Sequence, residues 1–421
     1  MLRPIVAVEE TFGLSKGEEK IKTKISWRIQ APVYGAGMFA STVTDVISII
    51  LPVWLAGTGK SAATIGLIIG SKHILPILLA IHGGALMDRF GARNVMVGCL
   101  MLAVLTLPLF PWVGWIPFIV VLQMISGFGS SMGWLGAQTL FGQIMRRDHV
   151  YAGRFAFALR VGGFIGPPIA GLVWDNMGVG SGFLFLGLWA LGAVIMALLV
   201  PKGVSSAPEG AKKARVSDML PRWSDYRAAF RLATIPAMTV VLMITVVRIA
   251  ASSVQDSFYP LYLTTIGYTA TQIGLLMTIS SATAAASSLS IGWITRYAQP
   301  MWVLIFSAGW SVVLVSITPL MPSFTALAIA AALRGLSMGI SQPLMMSMLI
   351  GAAGKGSQGK GAALRTTANR VAAAVTPISM GAIAGVAGLG NSFFVIGGLL
   401  LVALFIIAIY VWRRPEIARE A

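Results

Sequence analysis

The chain has 421 residues, of which 57% are hydrophobic and only 11% charged, and its mean hydropathy is +0.83. A water-soluble protein needs about a quarter of its residues charged to cover its surface, so these values exclude an ordinary soluble fold and point to lipid as the solvent. A net charge of +17 would suggest nucleic acid as the partner of a soluble protein, but here the basic residues fall in short gaps between apolar runs, which is how membrane-topology signals are placed.

Residues 1–30 carry both signs, from Glu9 to Arg28, and lack the apolar core of a secretory signal. They are read as a cytoplasmic N-terminal tail. A membrane-spanning helix needs about 20 mainly apolar residues. Six runs qualify within 31–201, at 31–57, 62–84, 94–113, 116–145, 150–174 and 179–201. A polar linker follows at 202–235, in which Ser217 to Leu232 reads either as a short helix on the membrane surface or as a plain solvated segment. Six further runs fill 236–412, at 236–264, 270–295, 300–320, 323–351, 360–387 and 391–412, and residues 413–421 form a C-terminal tail.

Alternate turns are basic. Arg28, then Arg89 and Arg93, Arg146, Arg147 and Arg154, the linker, Arg296, Lys355 and Lys360, and Arg413 and Arg414 all fall on one side, whereas the opposite turns hold only Lys60. The positive-inside rule places both termini in the cytoplasm. Trp27, Trp302 and Trp412 near the inner boundary, and Trp54, Trp112, Trp115 and Trp174 near the outer one, suit an aromatic belt. The lean loops suggest a bacterial inner membrane. Cys99 stands alone, so no disulfide is expected.

The two halves repeat. Pro52-Val-Trp-Leu55 corresponds to Pro260-Leu-Tyr-Leu263, and Gly59, Ala62, Ile65, Gly66 and Leu67 correspond to Gly267, Ala270, Ile273, Gly274 and Leu275, all at a shift of 208. Arg160-Val161 with Pro167 corresponds to Arg370-Val371 with Pro377 at a shift of 210. A six-helix unit repeated in one orientation implies a pseudo-two-fold axis along the membrane normal, with a substrate site near the midplane between the halves. The halves of major facilitator transporters are a known instance of this relation, which the present repeat resembles.

Local motifs carry the same likeness. The turn after the second run reads Gly84-Ala-Leu-Met-Asp88-Arg89-Phe-Gly91-Ala92-Arg93. It resembles the major facilitator loop motif G-x-x-x-D-R-x-G-R-R, with Ala92 in place of a basic residue. The fifth run carries Gly153, Gly162, Gly166-Pro167 and Ala170-Gly171, similar to the family's antiporter signature G-x8-G-x3-G-P-x2-G-G, with Ala170 in place of one glycine. A third family motif places an arginine in helix 4, where this chain has Gln123. The resemblance to the major facilitator superfamily implies an all-α membrane protein of twelve transmembrane helices in two pseudo-symmetric halves. It further implies that Asp88 latches the cytoplasmic gate, and that the fifth helix favours export. Glycines in that helix are equally explained by close helix packing.

Ionisable groups at membrane depth are costly and mark functional candidates. They fall on runs 1 (Asp45), 2 (Lys72, His73, His82), 5 (Arg160), 7 (Arg248, Asp256), 10 (Arg334) and 11 (Arg365, Arg370), and on none of runs 3, 6, 9 and 12. The third helix of each triplet is therefore suited to face lipid while the others line a cavity. Asp45 and Lys72 fall at matching depth on antiparallel neighbours and either form a static ion pair or make a proton site in which Lys72 or His73 tunes Asp45. Arg160 and Arg370, related by the repeat, suit helix capping or the support of broken backbone. Arg248, Asp256 and Arg334 complete the cavity set. Its excess of cations suits a solute with an anionic group. Tyr34, Phe39, Trp134, Phe258 and Tyr259 either stack a planar ligand or pack.

No nucleotide-binding loop, no H-E-x-x-H and no metal-ligand spacing occurs, so an enzyme, a metal and a cofactor are not expected. The sequence points to a monomeric secondary transporter that moves a small organic solute by alternating access, with proton-coupled export driven through Asp45. Import or exchange of an organic anion is the second reading, and a non-transporting scaffold or sensor the third.

Overall fold

With no water in a bilayer core to satisfy backbone amides and carbonyls, a spanning chain must pair them within each segment, and the helix does so. The computed structural model describes residues 25–145, 149–201, 234–353 and 358–420, and among these no strand occurs. The tail to residue 24 and the linker at 202–233, with its expected surface helix, lie outside the described residues.

Helix α1 spans Trp27–Ala56, capped by the Ser26 hydroxyl on the Arg28 amide. Helix α2 starts on a Ser61 cap and comprises Ala62–Ser71 and Ile74–Phe90, interrupted at Lys72 and His73. Helix α3, Ala92–Thr106, runs on as a tighter turn over Leu107–Trp112. Helix α4 is Ile116–Ile144. Helices α5 (149–177) and α6 (179–199) form one helical run, His149–Leu199, that reverses at Gly178, whose φ of 81° suits only glycine. The second half comprises α7 (Pro236–Thr265), α8 (Ala270–Ser288, bending by 57° into Ile291–Tyr297) and α9 (Pro300–Ser316). It ends with α10 (Phe324–Ala353), α11 (Gln358–Ala387), α12 (Leu389–Arg413) and the short α13 (Pro415–Glu420).

Nine of these stretches are long and apolar enough to span outright, and the bent α8 makes ten. Counting the two limbs of His149–Leu199 separately and adding the shorter apolar α9 gives the twelve spans expected. Three departures from the expected runs share a cause. The runs at 62–84 and 270–295 break at polar residues, Lys72-His73 and Ser288–Ser290, and the four-residue loop expected at 175–178 shrinks to Gly178. Hydropathy windows average over such points and cannot see them.

Helices 3, 6, 9 and 12 each expose large apolar side chains, among them Leu105, Leu188, Phe306 and Phe405, as does helix 5 with Phe157 and Phe164.

The packing divides unevenly between the two ends of the molecule. At the end that carries the basic turns, each half has its own core. Val33, Met96, Leu140 and Val194 belong to the first, and Val241, Leu304, Met345 and Ile407 to the second. At the opposite end one apolar cluster joins the halves, with Ile49, Leu55, Ile68 and Phe183 packed together with Phe258, Ile273, Leu327 and Met380. Among the described residues the halves share an apolar core only at that end, and at the basic end their cores stay apart with a cleft between them.

Two seams join the halves there, α2 on α11 and α5 on α8. Both use glycine to bring backbones together. A Cβ on Gly66 would collide with the Pro377 carbonyl, and one on Gly274 would come within 2.7 Å of the Pro167 carbonyl. Gly66 and Gly274 are repeat partners, as are Pro167 and Pro377. The pseudo-two-fold thus produces one contact twice, crosswise, with each half offering its second-helix glycine to the other half's fifth-helix proline.

Candidate functional site

Between the halves lies a cavity of about 170 Å³ lined from α1, α5, α7, α8 and α10. Its polar wall is Asp45, Arg160, Gln255, Asp256, Ser280, Ser281 and Gln342, and Met277 and Met338 supply the apolar part. Asp45, Arg160 and Asp256 are exposed although each lies deep within its helix. Water therefore reaches them through the cleft and offsets part of the cost of charge at that depth. Asp45 comes from the first half and Asp256 from the second, and the two carboxylates act on each other electrostatically, together with Lys72.

Lys72 sits at the break in α2, where its ammonium lies 3.5 Å from the Ser48 hydroxyl, one turn along α1 from Asp45. The direct Asp45–Lys72 ion pair that equal depth suggests is not made among the described residues; Lys72 instead meets Ser48 and acts on both Asp45 and Asp256 electrostatically. Helix α4 closes on this break, because a Cβ on Gly127 would collide with the Lys72 carbonyl. His73, beside Lys72, is influenced by Lys72 and Arg370.

The other charged candidates separate. Arg334 is 2% exposed behind the cavity, its guanidinium 5.1 Å from the Tyr259 ring centroid. Arg248, two turns from Asp256 on α7, is buried away from the cavity wall. Arg160 and Arg370 match in the repeat but not in place. Arg160 lines the cavity, whereas Arg370 reaches across the halves and donates to the Ser131 hydroxyl of α4 at 3.3 Å. The five aromatic candidates divide towards packing. Phe39 meets Trp189 edge-on, Trp134 stacks on Phe155, and Phe258 and Tyr259 are buried. Tyr34 packs between Trp27 and Phe155. Gln123 is buried in α4 with its side-chain oxygen unpartnered.

In the loop motif, Gly91 turns the chain with φ +82°. Arg93 donates to the Ala197 and Leu198 carbonyls at 3.0 and 2.6 Å, so a cation satisfies the C-terminal end of α6. Gly84, Asp88 and Arg89 lie on the second segment of α2. The side chains of Asp88 and Arg89, and with them the expected latch, lie outside the described residues.

The fifth-helix motif has two destinations. Gly162 and Gly166 admit Thr42 and Met38 of α1 within the same half, Gly171 and Pro167 meet α8 across the halves, and Gly153 faces open space. A residue that charge scanning passed over completes that seam. The Asp175 carboxylate, in the last turn of α5, accepts from the Ala270 and Thr271 amides at 3.1 and 2.8 Å and from the Thr271 hydroxyl at 2.6 Å. It caps α8, a helix of the other half, at its positive end. Losing an N-terminal cap costs about 0.5–2 kcal/mol. In Asp175→Ala we expect the Ala270 and Thr271 amides to exchange with deuterium roughly 2- to 30-fold faster, with α1 amides unchanged; equal protection in both proteins would deny the contact any role in closing this end.

Gln255, Ser280, Ser281 and Gln342 also escaped the charge search. For the two serines the signal was the stretch from Ser280 to Ser288, rich in Ser, Thr and Ala, within an apolar span.

The family model described as Major Facilitator Superfamily matches residues 33–254 and 241–420. The chain belongs to the Major Facilitator Superfamily. Within that superfamily it is 26% identical over 203 residues to the human chromaffin granule amine transporter, a match that covers 46% of this chain and 38% of the relative's length, well under two-thirds. Among solved structures it resembles a variant of the nucleoside transporter NupG (TM-score 0.77, 13% identity, 90% of this chain and 99% of that one). It also resembles a POT family transporter in complex with a thioalcohol-conjugated peptide (TM-score 0.70, 14% identity, 92% and 96%). A bacterial homologue of the human lysosomal transporter Spinster, in an inward-facing and unoccupied conformation, is similar at a TM-score of 0.68 (11% identity, 93% and 96%). At these identities the structural likeness concerns the fold. Family and apolar helices make the chain a membrane-embedded transporter of the Major Facilitator type.

Proposed function

We propose that the chain is a proton-coupled exporter of a small organic solute, working as a monomer in a bacterial inner membrane with both termini, the 202–235 linker and the open cleft on the cytoplasmic side. The observation that supports this most directly is the placement of Asp45 and Asp256, one from each half, on a single water-open cavity between halves joined at the far end. An ionised carboxylate at that depth is stabilised by either a proton or a cationic group of the solute. Competition of the two within one cavity gives exchange: a cationic group held by Asp256 on the cytoplasmic side drives the proton off Asp45, and reprotonation of Asp45 once the cleft opens outward releases the solute. The halves rock about the cavity as the glycine seams part and the basic ends come together. The antiporter-like glycines of α5 and the partial match to a protein named as an amine transporter lend support to export.

A second reading, import or exchange of an organic anion, draws on Arg160, Lys72, Arg248 and Arg334, which outnumber the two carboxylates. Metabolite profiling of cells and medium separates the two. It compares strains with the protein, without it, and with Asp45→Asn at equal membrane expression. Export through Asp45 predicts one compound retained inside both deficient strains. A compound left in the medium instead would establish import.

A further inference from the structure

Helix α11 packs along α7, and each brings an arginine to their meeting. Arg248 of α7 is 5% exposed, and its Nε is buried with no hydrogen-bond partner. The charge that bears on it is another cation, Arg365 of α11. Arg365 Nε is also buried and unpartnered. Asn369 follows Arg365 by four residues and so shares its face of α11, and its side-chain oxygen is likewise buried without a partner. The two ends of an amide are interchangeable by rotation, so Asn369 can present its NH2 to an acceptor instead. Two like charges that act on each other while their Nε donors stay buried and unpartnered are destabilising, and an oxyanion between them would satisfy both donors at once. Arg365 is only partly buried, which leaves an approach for one.

We propose that Arg248 and Arg365, with Asn369 beside them, form a binding site between α7 and α11 for the carboxylate or phosphate group of the transported solute. The site lies apart from the Asp45–Asp256 cavity wall, and assigning its anion to the solute rests on the transport of a small organic molecule set out above.

Purified full-length protein in a neutral detergent, in a zwitterionic buffer of low ionic strength, is titrated with sodium acetate, inorganic phosphate or sodium chloride while thermal unfolding is followed by tryptophan fluorescence. Acetate or phosphate should raise Tm by several degrees and saturate. Arg248→Gln with Arg365→Gln should abolish the rise, and each single variant should weaken apparent affinity by roughly tenfold or more. Without added anion the double variant should melt at or above the wild-type Tm, because it has lost two unpaired buried charges. Arg413→Gln, an exposed terminal arginine, and Asp45→Asn should keep the full response. The persistence of binding in Asp45→Asn separates this site from the coupling mechanism. An equal rise in the double variant, saturation by chloride alone, or no saturable rise would overturn the site. If binding holds but the compound retained in cells lacking the protein bears no acid group, the assignment to the solute falls and the anion is an inorganic one.

Discussion

With Gly66→Leu and Gly274→Leu combined, the cleft should be labelled from the face opposite the basic turns. In the wild type the same label should enter only from the basic face. Each leucine begins with a Cβ that meets a proline carbonyl of the other half, and backbone cannot yield as a flexible side chain can. Overpacking of this kind costs about 1–3 kcal/mol per site, so each wedge shifts the ratio of the two conformations roughly 5- to 150-fold. The penalty falls only on the conformation in which the seams are closed, and the population moves to the one in which they are parted. Alkylation of Ser281→Cys on the cavity wall, in a chain whose single cysteine is removed as Cys99→Ser, by a reagent that does not cross the membrane provides the measurement. Labelling from the basic face alone in the wedged protein would mean that the glycine contacts are not what holds the far end shut.

The second large effect is expected at Asp45. In proteoliposomes carrying the compound that profiling identifies, Asp45→Asn should reduce uphill transport driven by a proton gradient to the level of empty vesicles, while exchange of labelled for unlabelled compound continues. Asparagine keeps the size of the side chain, stands in for the protonated carboxyl, and can neither take up nor release a proton. The separation of driven transport from exchange therefore isolates coupling from binding. Asp256→Asn should weaken exchange and leave the proton requirement in place. The reverse pattern, with coupling lost at Asp256 and kept at Asp45, would move the proton site to the second half.

The fold was legible in the sequence because the bilayer reduces the choices to helices of one length. Asp45 and Asp256 of the cavity wall were legible for a related reason, since charge at that depth is costly, whereas Arg160, expected to cap a helix, lines the cavity instead. Gln255, Ser280, Ser281 and Gln342 bear no charge and leave no comparable mark. Arg160 and Arg370 show the limit of repeat arguments. The same residue at the same register turns to a cavity in one half and to Ser131 across the halves in the other. The break at Lys72 and His73 was hidden because an apolar run continues on both sides of it.

The two seams are alike in backbone but not in their fastening. Asp175 pins α5 to the start of α8 through three donors, and its counterpart at the repeat shift of 210 is Gly385, which has nothing near it. One side of the molecule is thus bolted and the other merely shut. On that geometry the far end swings like a door, with α2 and α11 as the free edge that parts first and α5 and α8 as the jamb on which it turns.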